Sequence, residues 1–433
     1  MAAIHGKRGC ASAALFFAAL VLPSPVSPAA QGPDWNADTL TGDWGGVRTN
    51  LGERGVTLEI VLKVDVLSNL SGGLKRGTRY MDNWDVKLKA DADKLWGWTG
   101  TTGYLHLISN HGGKLNGTLV GSSMGVDNIE VATNTTRLFH AWLEKGFLDE
   151  KLSILAGLYP VDSEFYATDA TGVFLNPSGG MAPEVAQTGV NGPSIFPTSS
   201  FGLRAKWRPT RKSYLQAALV DGVPGNPNNP RGTHVRFDRG DGTLAIVEAG
   251  LKPAEVEPDD AATKGHERHE VISKYAIGYW RYTPRFDDLV DTDALGNPAR
   301  RVNKGAYFFA EQSVYREKDD PSQGLALFFR YGVASGNVNA LDYSYSLGLR
   351  YKGLLAGRDE DEFGIAFTRG HTGAKFRQAA AAPLSSAESA LEITYRARIT
   401  PWLAIQPNVQ RIVHPGHALP SAWIAGARFE IAF

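Results

Sequence analysis

This sequence predicts an all-β membrane protein, a transmembrane antiparallel up-and-down β-barrel of about 16 strands. Three observations predict it. Apolar and polar residues alternate with a period of two in segment after segment. No stretch after residue 30 reaches the roughly 18 consecutive apolar residues of a membrane helix. Short and long gaps between the segments take turns along the chain, as they do in barrels with short periplasmic turns and long extracellular loops.

The first 30 residues have the composition of an export signal. Lys7 and Arg8 precede the apolar stretch 10–22, and small residues follow over 24–30, where we expect cleavage. The sequence therefore predicts three parts: a signal peptide (1–30), a periplasmic N-terminal segment (31–55) and an outer-membrane barrel (56–433).

Charge and cysteine content exclude several classes of function. The chain has 45 Lys+Arg and 45 Asp+Glu, and the signal peptide takes away Lys7 and Arg8, so the exported chain is close to neutral. Nucleic-acid binding would need a strongly basic face. The only cysteine, Cys10, lies in the signal peptide, so we expect no disulfide, no cysteine metal site and no cysteine nucleophile. No cofactor is expected either.

The strand pattern is clearest in "VTLEIVLKVDVL" (56–67), where every second residue is apolar and the polar residues lie between them. A helical face repeats at about 3.6 residues and would not keep that division. "WDVKLKAD" (84–91) and "SALEITYRAR" (389–398) repeat the pattern. The predicted strands are 56–67, 84–92, 102–109, 137–146, 152–159, 201–208, 213–220, 244–251, 273–282, 305–314, 324–331, 343–352, 362–369, 389–398, 402–410 and 423–433.

The gaps set the orientation of the strands. Tight turns are expected at 147–151, 209–212 and 399–401, and long loops at 110–136, 160–200, 221–243, 283–304 and 370–388. The segment 252–272 breaks the rule, because it is long yet falls on the short-turn side. Its "HERHE" (266–270) spaces two histidines like metal ligands, but a solvated charge run is the better interpretation, so no metal is expected.

Aromatic residues near the strand ends suit the boundary between lipid and water. We expect that position for Trp280, Tyr282, Tyr343, Tyr351, Trp402, Trp423 and Phe433. A soluble β-sandwich also alternates, but it would leave fewer charges per strand in need of a wet interior. The last segment should pair with the first to close the barrel, and its terminal Phe433 is typical of the signal read by the barrel-assembly machinery.

Both ends of the barrel region carry family motifs. "LTGDWGGVRTNLGERGVTL" (40–58), "EITYRARITPWLAIQPNVQRIVHPG" (392–416) and "GARFEIAF" (426–433) resemble the OprB-type carbohydrate-selective porins, and weaker motifs between them follow in order. The resemblance implies a sixteen-stranded barrel of the Gram-negative outer membrane that passes monosaccharides such as glucose by diffusion. It allows a monomer or a homotrimer.

Candidate pore-lining residues follow from the polar faces. Glu392, Arg396 and Arg398 share one face of a strand, and Gln406 and Gln410 share that of the next. Carboxylates, amides and guanidinium groups can accept and donate hydrogen bonds to sugar hydroxyls. The alternative is that these charges only hydrate the interior and pair with one another.

The long segment 160–200 is the predicted constriction. Its Asp162, Glu164 and Phe165 would face basic residues of the wall, namely Arg204, Arg350 or Arg396. The alternative is an external loop packed over the rim. Four further candidates are His140, Trp142 and Glu144 on the fourth strand and Glu311 on the tenth, the last inward if Phe308 faces lipid.

Three other functions stay open at this point. A general, non-selective diffusion porin would share every feature above. A barrel enzyme, such as a lipase or protease, would need a nucleophile with a base, and the chain has no G-x-S-x-G motif. A plugged structural barrel usually has fewer strands, because about 16 leave an aqueous channel.

Overall fold

The computed structural model describes residues 34–253 and 272–433. The predicted signal peptide and the "HERHE" stretch lie outside the described residues. The strands are β1 (Val56–Ser71), β2 (Gly77–Asp91), β3 (Thr101–Gly112), β4 (Thr135–Phe147), β5 (Leu152–Tyr159), β6 (Ser200–Thr210), β7 (Ser213–Asp221), β8 (Thr243–Leu251), β9 (Ser273–Thr292), β10 (Pro298–Arg316), β11 (Gly324–Ala334), β12 (Leu341–Lys352), β13 (Glu362–Thr372), β14 (Ala387–Thr400), β15 (Leu403–Val413) and β16 (Ala422–Ala432).

Helices are short. The α-helices are α1 (Val47–Glu53), α2 (Ala92–Trp96), α3 (Pro183–Ala186) and α4 (Ala374–Ala379), and the remaining turns are 3₁₀ or π-helical (Asn116–Val120, Val161–Ser163, Ala170–Val173, Pro177–Gly179 and Pro415–His417). Over the described ranges, the chain contains no helix with the length and hydropathy of a membrane span.

The strands form one closed antiparallel barrel, in which each strand pairs with its sequence neighbours and β1 pairs with β16. The closing ladder runs from Val61 opposite Ala432 to Ser71 opposite Trp423. All sixteen predicted strands are confirmed. The largest difference in length is at β9 and β10, which continue beyond the predicted ends into a long hairpin.

Short turns and long loops occupy opposite rims, as predicted, with one correction: the long loop expected at 283–304 is a hairpin, because β9 runs to Thr292 and β10 begins at Pro298. The connections after β4, β6 and β14 are tight, whereas those after β3, β5 and β7 are long. Long loops are extracellular in outer-membrane barrels and short turns periplasmic. The β1 strand begins at the short-turn rim, next to α1. There the backbone N–H of Leu40 donates to the carbonyl of Ala432 at 2.8 Å.

Alternation sorts the wall into an apolar outside and a polar inside. On β1, Val66 is 39% exposed while its neighbour Asp65 is fully buried. On β10, Phe308 is exposed on the outer face and Glu311 is buried on the inner one, which confirms the predicted orientation of that strand. Outward apolar residues can therefore face lipid, as a membrane barrel requires.

The interior is partly filled, and this corrects one prediction. Trp280 and Tyr282 do not lie at the lipid boundary. Both are fully buried inside the barrel, in a cluster with Phe165 and Tyr166 of the segment after β5. The inward segment buries these rings because it supplies an apolar surface where water would otherwise stand.

Candidate functional site

The segment between β5 and β6, residues 160–199, folds into the barrel, and we call it the constriction loop. Its backbone is held by carboxylates of the barrel wall. Glu248 accepts the N–H of Tyr166 at 2.8 Å, and Glu311 accepts that of Ala170 at 2.9 Å. The loop is therefore confirmed as an internal segment rather than a lid on the rim.

Glu392 holds the far end of the same loop. Its two carboxylate oxygens accept the N–H groups of Leu175 at 2.7 Å and Asn176 at 3.0 Å. Asn408 of the next strand also donates to this carboxylate, at 2.5 Å. Three wall carboxylates thus satisfy backbone donors that a buried loop cannot leave unpaired.

Arg330 of β11 donates hydrogen bonds to carbonyl groups of the same loop. Its buried guanidinium donates to the carbonyl oxygens of Ser178 (2.9 Å), Gly179 (3.1 Å) and Gly180 (2.6 Å). Nearby, Ser344 donates a hydrogen bond to Glu184 of α3. Burial raises the pKa of the Glu184 carboxyl above its ordinary value.

Glycines on the wall make room for the loop. A Cβ at Gly332 would lie 1.8 Å from Oε1 of Glu184, and one at Gly364 would lie 2.8 Å from the ring of Phe174. Only a residue without a side chain lets the loop approach the strands this closely.

The loop between β3 and β4 also enters the barrel. Glu388 of β14 accepts hydrogen bonds from the backbone N–H groups of Ser123 at 3.0 Å and Met124 at 3.2 Å. The amide of Gln410 donates to the carbonyl of Val126 at 2.8 Å. Two loops therefore narrow the interior from the extracellular side.

Several predicted pore-lining residues thus point inward but lie beneath these loops. Glu311, Glu392, Gln406, Gln410 and Arg204 are all at most 4% exposed. The expectation that Phe165 lines the channel is corrected, because its ring is fully buried among wall and loop side chains. The polar groups of Glu311, Glu392, Gln406 and Gln410 bind loop backbone, whereas Arg204 binds the carboxylates of Glu144 and Glu164.

The open side of the constriction loop faces two ion pairs of the wall. Arg350 lies 2.7 Å from Glu362, and Arg396 lies 2.6 Å from Glu430. Across a void of about 450 Å³, the loop presents Asp169 toward them. The small side chain of Ala404, opposite Glu430 on the intervening β15, lets Arg396 reach across that strand.

Charges of alternating sign continue around the wall from these pairs. Lys63 of β1 is the register partner of Glu430, and it lies 3.1 Å from Asp85 of β2. The row Arg350, Glu362, Arg396, Glu430, Lys63 and Asp85 is called the charge belt below. His106 of β3 follows it, 2.8 Å from Asp85.

On the other side of the interior, Arg204 joins the wall to the loop. It lies 2.8 Å from Glu144 of β4 and 2.6 Å from Glu164 of the loop. Burial would raise the pKa of Glu164, but Lys206 and Arg204 outweigh it and hold that pKa below its ordinary value. Burial raises the pKa of Asp162, at the start of the loop, to about 7.

Two other groups of predicted residues lie apart from the belt. His140 and Trp142 point inward on β4, where the indole N–H lies 3.3 Å from the imidazole and the ring of Tyr104 stands 5.1 Å from that of Trp142. Arg398 lies near the short-turn rim, is 41% exposed and is 3.4 Å from Glu360.

The family model described as "Carbohydrate-selective porin, OprB family" matches residues 75–433. The chain belongs to the OprB family. It is 27% identical to Porin B of Pseudomonas aeruginosa, over 92% of each chain. It is 22% identical to the putative porin QuiX of Acinetobacter baylyi, over 99% of each. A high-pH structure of Pseudomonas putida OprB superposes with a TM-score of 0.79 at 23% identity, covering 92% of this chain and 99% of that one.

Membership of the OprB family makes the protein a sugar-selective outer-membrane porin and a channel. In this OprB porin, the inward side chains of the barrel strands supply the wall charges described above. Among those charges, sequence reasoning missed the roles of Glu248, Glu388 and Arg330 as loop anchors. Strand alternation would have placed them inward, but no local signal indicates that a loop covers them.

Proposed function

We propose that monosaccharides such as glucose cross this porin by passive diffusion past the charge belt. The observation that supports the proposal is the alternation of six charges along the wall, opposite Asp169 of the constriction loop. Each cation has an anion beside it, so the belt offers donors and acceptors but little net charge. Sugar hydroxyls both donate and accept, whereas a simple ion gains from one sign only.

Weak contacts suit transport. A channel site must bind strongly enough to admit a solute and weakly enough to release it. Partly exposed ion pairs such as Arg396–Glu430 meet this need, because both members already have a partner and a sugar only adds to their hydrogen bonds.

We assign the direct contacts to Arg350, Arg396, Glu362 and Glu430, with Tyr104 and Trp142 offering aromatic faces for the apolar side of a sugar ring. Glu144, Glu164, Asp162 and His140 are proposed to set the charge and shape of the interior near the constriction loop. Arg398 is proposed to line only the short-turn mouth of the pore, away from the sugar contacts. The buried anchors hold the constriction loop and act on the solute only through it.

Liposome swelling tests the proposal. Proteoliposomes are diluted into glucose, maltose or gluconate, with protein-free liposomes as the control. Glucose should enter fastest, maltose more slowly because of its size and gluconate more slowly because of its charge. Equal entry of all three would favour a general diffusion porin, and no entry would contradict the channel itself.

The proposal also covers export, processing and assembly of the chain. We propose that residues 1–30 direct export and are removed, and that 31–55 stays on the periplasmic side. Strand β16 is proposed to carry recognition by the barrel-assembly machinery. The channel works as a monomer or a homotrimer and performs no catalytic step.

A further inference from the structure

The outer face of the β9–β10 hairpin carries three cations without acidic partners. Arg281 of β9 and Lys304 of β10 are direct partners in the antiparallel ladder, and Arg285 follows beyond a bulge. All three are exposed, and we call them the rim cluster. Across residues 34–253 and 272–433, no carboxylate pairs with any of them, whereas Arg300 and Arg301 of the same hairpin pair with Asp287 and Asp288.

The rim cluster points away from the channel. The neighbours of Arg281 along β9, Trp280 and Tyr282, are fully buried inside the barrel, so Arg281 takes the outward position between them. The next outward residues toward the membrane centre are Tyr279, 43% exposed, and Ile277, 62% exposed. The cluster therefore stands directly above a lipid-facing apolar and aromatic surface.

Its height corresponds to the outer boundary of the membrane. A tilted membrane strand needs about 9–11 residues. Counted from Ser273, where β9 begins at the short-turn rim, that length ends close to Arg281. A lipid-facing Arg or Lys is strongly unfavourable at the membrane midplane but costs little near the interface. At this extracellular boundary of the membrane, the three cations can therefore face outward at little cost.

Arg281 and Lys304 are like charges in direct register on paired strands. Like charges directly opposite each other on paired strands destabilise the pair. A phosphate group between Arg281 and Lys304 would reverse that repulsion, because guanidinium and ammonium groups form strong charge-assisted hydrogen bonds with phosphate oxygens.

We propose that the rim cluster binds the phosphate groups of an outer-leaflet lipid, lipid A, whose acyl chains lie against Tyr279, Ile277 and Phe308. This site is separate from the sugar path, because it lies on the opposite face of the wall. It would anchor the barrel in the outer leaflet at a fixed depth on the β9–β10 side.

Binding of lipid A to the purified, detergent-solubilised barrel tests the proposal by native mass spectrometry. The variant Arg281→Gln/Lys304→Gln is compared with Arg208→Gln/Arg211→Gln, which removes the same charge at the exposed short-turn rim. Apparent affinity for lipid A should fall at least about tenfold in the first variant, since two charge-assisted contacts are lost. It should stay within about twofold in the control. Equal affinity in both variants would overturn the proposal.

Two arms need no variant, so they decide the question even if a variant fails to fold. Lipid A stripped of both phosphates should bind the natural chain roughly tenfold more weakly than intact lipid A; equal binding would contradict a phosphate site. Inorganic phosphate at the same concentration should not displace lipid A. Displacement would mean a free-anion site instead of a lipid site and would also overturn the proposal.

Discussion

Two arginines on β14 show how two residues of one strand acquire different roles. Arg396 pairs with Glu430 beside the void under the constriction loop, whereas Arg398 lies near the short-turn rim beside Glu360. Both side chains are inward and charged, so sequence alone treats them alike. Their positions relative to the constriction loop differ, so substituting each of them should have a different effect on the channel.

Arg396→Ala should weaken the block of single-channel current by glucose roughly fivefold, since one hydrogen-bonding group of about 1 kcal/mol is lost. It also removes the ion-pair partner of Glu430 and one positive charge of the belt, so the channel should shift toward cations in a salt-gradient reversal potential. Arg398→Ala is the matched control and should change the glucose block less than about twofold. Equal effects of the two substitutions would remove Arg396 from the contact site.

Asp162 predicts an unusual pH dependence of stability. Its pKa rises from 3.8 to about 7 in the folded protein because burial disfavours the charged form. Between these values the folded state binds more protons than the unfolded state, so this residue lowers stability as pH rises and adds no further change above about 7. Most carboxylates act in the opposite direction.

Urea-unfolding midpoints measured from about pH 4 to about pH 8 check this sign. The midpoint of the natural chain minus that of Asp162→Asn should fall as the pH rises. The asparagine does not titrate, and the contributions of all other groups cancel in the difference. A flat difference, or one that rises, would contradict the raised pKa of Asp162 in the folded protein.

At the scale of elements, the constriction loop depends on wall carboxylates for its backbone hydrogen bonds. Glu392→Ala removes the acceptor for the N–H groups of Leu175 and Asn176. Each buried donor left unpaired costs about 1–3 kcal/mol, so this end of the loop should detach while the barrel ladder stays intact. We expect larger and noisier single-channel currents from a barrel that still resists heat in detergent.

Graded substitutions strengthen that test. Glu392→Gln keeps one oxygen acceptor and should give an intermediate current, whereas Glu360→Ala, at the exposed short-turn rim, should leave the current unchanged. A quiet, natural-size current in Glu392→Ala would show that other contacts are enough to hold the loop.

The strands could be predicted from sequence because their signal is local. In "VTLEIVLKVDVL" each residue reports its own side of the wall, so orientation follows without knowledge of any partner. The same reasoning placed Glu392 inward, and the structure agrees; for Glu311 it left two orientations open, and the structure selects the inward one. The predicted lengths of β9 and β10 were too short, because the ladder continues outside the membrane, where apolar alternation is no longer required.

What covers an inward residue could not be predicted. A carboxylate satisfied by water and one satisfied by loop N–H groups have the same sequence signature, because both need only a polar surrounding. The predicted lipid-boundary position of Trp280 and Tyr282 was wrong for the same reason: aromatic rings suit a lipid boundary and a buried loop contact equally. These outcomes depend on contacts between residues far apart in the chain.

At the scale of the whole molecule, closure of the barrel combines a backbone ladder with a buried ion pair. Arg428 of β16 contacts both carboxylate oxygens of Asp65 on β1, at 2.8 and 2.6 Å, and also reaches Asn128 of the β3–β4 loop. The pair thus joins the first strand, the last strand and an inward loop at one point. Asp127 of that loop lies 3.9 Å from the same guanidinium.

Arg428→Ala should therefore destabilise the barrel strongly. It leaves Asp65 buried without its cation, a change that costs about 3–5 kcal/mol in buried pairs. Lys87→Ala, which breaks an exposed pair with Glu59, should cost about 1 kcal/mol or less. The double variant Asp65→Asn/Arg428→Met should recover much of the loss, because the charge of Asp65, the carboxylate that Arg428 contacts directly, is then removed as well. Urea midpoints of the four proteins decide the matter: a double variant as unstable as Arg428→Ala would mean that the seam needs the arginine for its packing rather than for its charge.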